Sequence, residues 1–240
     1  MDFKEGEILH INKPYGMTSF GALAFVRTRI SKAAGVKRIK TGHAGTLDPL
    51  ATGVLTLCTG KKTKLIPTLQ YHDKEYTATL QLGATTPSYD MEHPVDATYP
   101  TEHITEEAVR NALEQFKGDI MQVPPTYSAV HIDGKRAYEI ARKADDCHTI
   151  EDSTLPPKPV HIEDIELLWY DDEKKQCQIR VECGKGTYIR SLARDIGKAL
   201  NSGAYLTQLC RTRVGDVTLD NCIELDNFQE WLNSHNSISL

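Results

Sequence analysis

The order of apolar and polar residues along the chain predicts an irregular mixture of strands and helices. EYTATLQLG (75–83) alternates as a strand with one buried face does, placing Tyr76, Ala78, Leu80 and Leu82 on the same side. In contrast, GTYIRSLARDIGKAL repeats apolar residues every three or four positions, which is the spacing of an amphipathic helix. Because strands and helices follow no repeated βα order, the pattern favours an α+β fold over a doubly wound sheet.

The same periodicities predict the other elements. A helix is expected from an N-cap at Thr18 or Ser19 to about Ser31, and another is expected to begin at Thr105. Strands are predicted at EILHIN, GVLTLCTG, HIEDIELLWY, QCQIRVECG and AYLTQLCRTRVG, and short helices at 61–69 and at IELDNFQEWL (223–232).

A chain of 240 residues is long enough for one large domain with a sizeable core. The stretch at about 123–153 is rich in Pro, Tyr, Lys and Asp, and it predicts a protruding hairpin-and-helix insertion. The tail at about 216–240 is too short for a second domain. We therefore expect a single domain over residues 1–240.

Charge is distributed unevenly along the chain, although the net charge is −5. From Ile8 to His72 there are ten Lys and Arg residues and one acid, and at 184–215 there are six basic residues and one acid. Acids concentrate at 90–119 and 145–173. The distribution suggests a positive face for a polyanion and an acidic back for solubility. Solvated helix faces that sort by charge would give the same pattern, so charge alone does not decide.

Several classes of function are disfavoured by what the sequence lacks. No apolar run reaches the length of a membrane span, and the start lacks the layout of a secretory signal, so the cytoplasm is expected. The six cysteines form no C-x-x-C pair and are interpreted as reduced core thiols. No tight Cys/His cluster, phosphate loop or dinucleotide fingerprint is present, so neither a metal nor an organic cofactor is expected.

One carboxylate stands out in GHAGTLDPLATG (42–53), because Asp48 is the one acid of the basic segment 8–72. An Asp before Pro commonly closes a turn by bonding its own backbone. The alternative is chemical: surrounding cations keep the carboxylate ionised, and an ionised carboxylate without a paired acid is a candidate nucleophile. The glycines Gly42, Gly45 and Gly53 would permit close approach by the backbone of another chain.

The stretch GHAGTLDPLATGVL resembles the signature of the TruB-type tRNA pseudouridine synthases. Further stretches resemble the other boxes of that family in the family's order, from about residue 8 to 215: INKPYGMTS, KEYTATLQLG, VPPTYSAVHIDGKRAYEIAR, GKGTYIRSLARDIG and LCRTRVG. Five such boxes in order are a far more specific signal than any one of them.

The resemblance implies a central mixed, largely antiparallel sheet flanked by helices, with the insertion beside a cleft. It implies isomerisation of uridine to pseudouridine at position 55 of the T-loop of tRNA, without metal or organic cofactor, by an enzyme we expect to be a monomer. Asp48 falls on the family's catalytic aspartate. It could add to C6 of the uracil or attack C1′ of the ribose, and the sequence does not choose between them. The target base must leave its stack to reach the carboxylate.

The resemblance also implies substrate-binding roles for residues outside the Asp48 turn. Tyr76 would stack on the extruded base, His43 would contact the RNA loop, and Leu209 would line the uracil pocket. Without the resemblance, Tyr76 and Leu209 would be interpreted as core residues, and His43 as a structural histidine.

Four further residues complete the implied site. Tyr188 and Arg190 lie two apart at a predicted helix N-terminus, where Arg190 could pair with Asp48, although an isolated arginine would be interpreted as a surface residue. Lys13 and Pro14 would shape the cleft from behind.

The sequence also departs from the family. His131 and His93 replace residues that are usual in relatives, and the small C-terminal RNA-binding domain of bacterial relatives is not expected here. Three other functions stay open at this point: a non-catalytic RNA-binding protein, a nucleoside or glycosyl hydrolase, and a sister synthase that acts on ribosomal RNA or is guided by another RNA.

Overall fold

A computed structural model describes residues 1–127, 131–132, 135–136 and 155–236 of the chain. The strands are Ile8–Lys13 (β1), Thr41–His43 (β2), Ala51–Thr59 (β3), Lys74–Leu82 (β4), Ala84–Thr85 (β5), Ala97–Thr98 (β6), Gly118–Gln122 (β7), His131–Ile132 (β8), Lys135–Arg136 (β9), Lys158–Asp171 (β10), Gln176–Cys183 (β11), Ala204–Val214 (β12), Val217–Thr218 (β13) and Ile223–Glu224 (β14). The α-helices are Ser19–Ala33 (α1), Ile66–Leu69 (α2), Glu106–Glu114 (α3), Ile189–Ala199 (α4) and Phe228–Asn236 (α5), and Gly60–Leu65 and Leu219–Asn221 are 3₁₀ helices. Within those ranges, no helix is long and apolar enough to cross a membrane.

The first of two compact units comprises Met1–Tyr76 and Cys210–Leu240. In it, β1 pairs antiparallel with β3 on one side and parallel with β14 on the other. Nearly every residue of β3 is buried, as expected for the predicted buried strand.

Helix α1 of the first unit begins where the sequence predicts. The Thr18 hydroxyl oxygen accepts a hydrogen bond from the backbone N–H of Gly21 at 2.9 Å, so it caps the helix. Leu23, Val26 and Ile30 are buried along one face, which is the face that the periodicity indicated.

The second unit comprises Thr77–Leu209. β10 pairs antiparallel with β11 on one side and with β7 on the other. Helix α3 begins after Thr105, whose hydroxyl accepts from the N–H of Ala108 at 3.2 Å. β8 and β9 pair antiparallel inside the predicted insertion, and residues 128–130, 133–134 and 137–154 lie outside the described part of the chain.

These pairings confirm the predicted α+β class and its mixed sheet. Among the described residues, ten strands are hydrogen-bonded into this sheet, in which β1 and β14 run parallel. The expectation of a single domain over residues 1–240 stays a prediction.

Two predicted helices differ from the structure. The helix expected at 61–69 is a 3₁₀ helix followed by the four residues of α2, because Pro67, near the start of α2, has no N–H to donate to the preceding turn. The helix expected at 223–232 begins only at Phe228, because Ile223 and Glu224 pair with β1.

Candidate active site

The loop that carries Asp48 is fixed to the first residue of α1. The hydroxyl of Ser19 donates to the carbonyl of Leu47 at 2.9 Å and accepts from its backbone N–H at 2.8 Å, and both bonds are buried. The backbone N–H of Ala51 donates to the carbonyl of Asp48 at 3.1 Å and closes the turn that follows. Asp48 itself is half-buried. The loop therefore presents one partly accessible carboxylate from a backbone held on both sides.

Lys13, at the end of β1, connects the loop that carries Asp48 to the loop that follows β1. Its side chain is completely buried, and its Nζ donates to the carbonyls of Pro14 at 2.9 Å, Met17 at 2.6 Å and Pro49 at 3.2 Å. Burial lowers the pKa of Lys13 to about 8, although the nearby Asp48 carboxylate opposes that shift. Three carbonyls match the three N–H donors of one ammonium group, so Lys13 is a positioning residue for the Asp48 loop while it is protonated.

The activity should fall as the pH rises through about 8, because the Lys13 ammonium then loses its proton, one of its donors and the positive charge beside Asp48. The pKa of this lysine is lower in the folded chain than in the unfolded chain. Between pH 8 and 10.5 the unfolded chain therefore holds more protons, and this group makes the free energy of unfolding rise with pH. We expect the single-turnover rate to decline above about pH 8, which gives the pH profile an alkaline limb, without a matching loss of thermal stability. Lys13→Arg, which stays charged throughout, should displace that limb upward, and rates that stay constant to pH 10 would contradict the assignment.

Arg211, on β12, supports the same loop from a buried position that the sequence pattern does not predict. It is 2 % exposed, and its Nε donates to the carbonyl of Val54 at 2.8 Å. Its Nη2 donates to the carbonyl of Gly45 at 3.2 Å. The one available signal was its place in the basic box LCRTRVG, and nothing in that box indicates burial.

Two of the three glycines near Asp48, Gly42 and Gly53, permit close packing within the chain, and the interpretation that the three admit another chain stays a prediction. A Cβ on Gly53, where φ is +109°, would lie 2.2 Å from the backbone oxygen of Arg211. A Cβ on Gly42 would lie 2.5 Å from the side chain of Ile66. Gly53 thus permits β3 and β12 to approach more closely than any side chain would allow.

His43 lies on β2, five residues before Asp48. Burial lowers its pKa, and the Arg211 guanidinium lowers it further, so the imidazole is neutral at pH 7. Within the described ranges, its buried Nδ1 has no hydrogen-bond partner, and the same holds for the hydroxyl of Thr41 on that strand. A buried polar atom without a partner costs free energy that a ligand could recover.

The remaining predicted residues of the first unit are Tyr76 and Pro14. Tyr76 is buried at the third position of β4, on the alternating face that the sequence predicts. Pro14 is half-buried, and its carbonyl accepts from Lys13.

In the second unit, Arg190 is buried at the second position of α4, so it is not a surface arginine. Its Nη1 donates to the carbonyl of Ser88 at 3.2 Å and its Nη2 to that of Tyr127 at 2.8 Å. Its Nε lies 3.8 Å from a carboxylate oxygen of Asp90, and both side chains are less than a tenth exposed. Pairing of Arg190 with Asp48 stays a prediction.

Asp90 is a further candidate for the site, and the prediction from the charge pattern that it lies in an acidic back of the protein is wrong, because Asp90 is buried. Its Oδ1 accepts from the hydroxyl of Ser88 at 2.6 Å and from the N–H of Glu92 at 2.9 Å. Its other oxygen faces Arg190, which is 100 residues away along the chain, so no local signal indicates this burial.

Tyr188, just before α4, is held through its backbone by the side-chain amide of Gln122. Its backbone N–H donates to Oε1 of Gln122 at 2.8 Å, and its carbonyl accepts from Nε2 of Gln122 at 3.2 Å. The ring is half-buried, and Leu209, near the end of the second unit on β12, is half-buried as well.

No group of three or more His, Cys, Asp or Glu residues that could hold a metal ion occurs in the described part of the chain. In the first unit, the carboxylate of Asp48 lies on a turn that hydrogen bonds hold in place. The buried cations of Lys13 and Arg211 lie next to that turn. Such a carboxylate can act as an ionised nucleophile.

Comparison with known proteins gives consistent matches along the chain. A family model described as TruB family pseudouridylate synthase (N terminal domain) matches residues 31–189, and one described as tRNA pseudouridylate synthase B C-terminal domain matches residues 190–239. A protein of Bacteroides thetaiotaomicron named tRNA pseudouridine synthase B is 59% identical over 97% of this chain and 95% of its own length. One of the same name from Flavobacterium johnsoniae is 47% identical over 96% of this chain and 98% of its own length.

Among solved structures, a chain in one titled "Crystal Structure of a Cbf5-Nop10-Gar1 Complex" aligns with a TM-score of 0.68 and 28% identity. The alignment covers 97% of this chain and 57% of that one, so this protein spans little more than half of the solved chain.

Proposed function

Because the chain belongs to the TruB family of pseudouridylate synthases, we propose that it converts uridine 55 in the T-loop of tRNA to pseudouridine, with Asp48 as the nucleophile. The C1′–N1 bond of the uridine breaks, the base rotates, and a C1′–C5 bond forms. The proton of C5 leaves and N1 gains one, so the reaction consumes no other reactant. The protein works as a cytoplasmic monomer without metal or organic cofactor.

The observation that carries the proposal is the fixed loop around Asp48. Ser19 and Lys13 hold the backbone at Leu47 and Pro49, on either side of the carboxylate. A nucleophile held in this way loses little freedom when the flipped nucleotide arrives, so less free energy is spent on orientation at the transition state.

In the second unit, the buried Arg190 is held by carbonyls and by Asp90, and Tyr188 is held by Gln122. We assign these residues, with His43, Tyr76 and Leu209, to binding of the extruded nucleotide. Lys13 and Pro14 shape the loop from behind.

The proposal is tested with a T-arm stem–loop RNA that carries tritium on C5 of uridine 55 alone. The purified protein should release the tritium to water, and treatment with EDTA followed by dialysis should not change the rate. A matched RNA with the label at another loop uridine should release none. Release from the wrong uridine would contradict the assigned position, and activity lost to chelation and restored by one metal would contradict the cofactor assignment.

A further inference from the structure

A cavity of about 320 Å³ opens beside the second half of α1. It is lined by Arg27, Thr28, Ser31, Lys32, Val36, Lys37 and Arg38. This volume, which is open to solvent on one side, is large enough for a phosphodiester group.

The cavity walls are held in place by hydrogen bonds between the helix and the segment that follows it. The carbonyl of Ser31 accepts from the N–H of Val36 at 3.0 Å, and its hydroxyl accepts from the N–H of Ile39 at 3.0 Å. Lys37 and Arg38 lie between these two fixed points. Their backbone is therefore positioned before any ligand arrives.

Four of the seven lining residues are cations, and none is an acid. Across the described ranges, none of the four forms an ion pair, whereas Lys61 and Lys62 of the same basic segment pair with Glu5 and Glu7. The cavity also adjoins the C-terminal end of α1, where the helix dipole contributes roughly half a negative charge. Four full positive charges outweigh that contribution, so the cavity favours anions.

Helix α1 runs from the loop that carries Asp48 to this cavity. Ser19, its first residue, is bonded to Leu47. Arg27 and Lys32 lie 8 and 13 residues further along the helix, which at 1.5 Å per residue is about 12–20 Å. An anion at the Lys32 end of the cavity thus lies about 20 Å along the helix from Ser19, farther than a phosphate beside the reacting uridine would lie. A partner that occupies both places must carry phosphates along an extended backbone.

We propose that this cavity binds backbone phosphates of tRNA several nucleotides away from the uridine that reacts with Asp48. The inference rests on the proposed function and adds to it a second point of attachment. Such contacts strengthen binding and set the register of the RNA without touching the reacting atoms.

The test compares two double variants that each remove two exposed lysine charges from the segment 8–72. Lys32→Gln/Lys37→Gln alters the cavity, and Lys40→Gln/Lys64→Gln alters lysines of the same segment that do not line it. Affinity for the T-arm RNA is measured from 50 to 300 mM KCl, together with the maximal single-turnover rate and the thermal unfolding temperature. The cavity variant should bind about tenfold more weakly near physiological salt, and the slope of log affinity against log salt should fall by about two.

The maximal rate of the cavity variant should stay within about twofold of the wild-type rate, because these lysines contact phosphates rather than the reacting atoms. The control variant should lose less than about threefold in affinity. Equal losses in both variants would mean that general positive charge, and not this cavity, binds the RNA, and would overturn the inference. Unchanged binding in the cavity variant would also overturn it. If the wild type binds the RNA but releases no tritium, the proposed function fails. The comparison of affinities then still shows whether this cavity binds RNA phosphates.

Discussion

Asp48→Asn and Asp48→Ala proteins should bind the T-arm RNA about as tightly as the wild type and form no pseudouridine. Neither an amide nor a methyl group supplies an anionic nucleophile, and binding is carried by other residues. We expect the single-turnover rate to fall by about 10⁴-fold or more, which corresponds to more than about 5 kcal/mol of transition-state stabilisation. Tritium release and RNA binding measured on the same preparations check both halves of the expectation.

Asp48→Glu is the matched control, because it keeps the charge and moves the carboxylate outward by one methylene. A displacement of about 1 Å can cost on the order of 100-fold, so this variant should be slow but measurably active. Turnover by Asp48→Ala near the wild-type rate would show that the nucleophile lies elsewhere.

The second largest effect is expected at the buried pair of Arg190 and Asp90. Arg190→Lys should reduce the maximal rate by about 100-fold, because one ammonium group cannot reach both carbonyls and the carboxylate that the guanidinium contacts. Asp90→Asn keeps an oxygen that can accept from Ser88 and from the N–H of Glu92 but removes the negative charge. It should lower the free energy of unfolding by about 3 kcal/mol, since it removes the Asp90 carboxylate from a buried ion pair.

Rates and denaturant unfolding of both variants distinguish a positioning role from a purely structural one. If Arg190 positions the substrate or Asp48, the rate of Arg190→Lys stays low at temperatures where the variant is fully folded. If the rate recovers fully once the protein is folded, Arg190 serves stability alone.

Local signals in the sequence predict much of this fold. Thr18 and Thr105 cap helices that begin where their hydroxyls indicate, and the alternation around Tyr76 predicts the buried face of β4. The prediction fails where distant parts of the chain decide. Ile223 belongs to a strand because Ile11 of β1 is its partner.

In the candidate site, too, local features can be predicted from the sequence and contacts between distant residues cannot. The position of Asp48 in a basic, glycine-rich turn is visible in the sequence, whereas its supports are not. Arg211 contacts Val54 across 157 residues of chain, and Asp90 meets Arg190 across 100. Nothing in a local charge pattern distinguishes a buried arginine from an exposed one.

The first unit is assembled from both ends of the chain, and this has a consequence for its synthesis on the ribosome. β1 and β3 emerge early, but β14, the parallel partner of β1, and Arg211, which contacts Gly45 and Val54, are made near the end. At about 5–20 residues per second, the 157 residues between Val54 and Arg211 take roughly 8–30 s to translate. During that time the loop that carries Asp48 lacks one of its supports, and one edge of β1 is unpaired. A truncated or unfinished chain therefore carries Asp48 on a loop that lacks the contacts of Arg211.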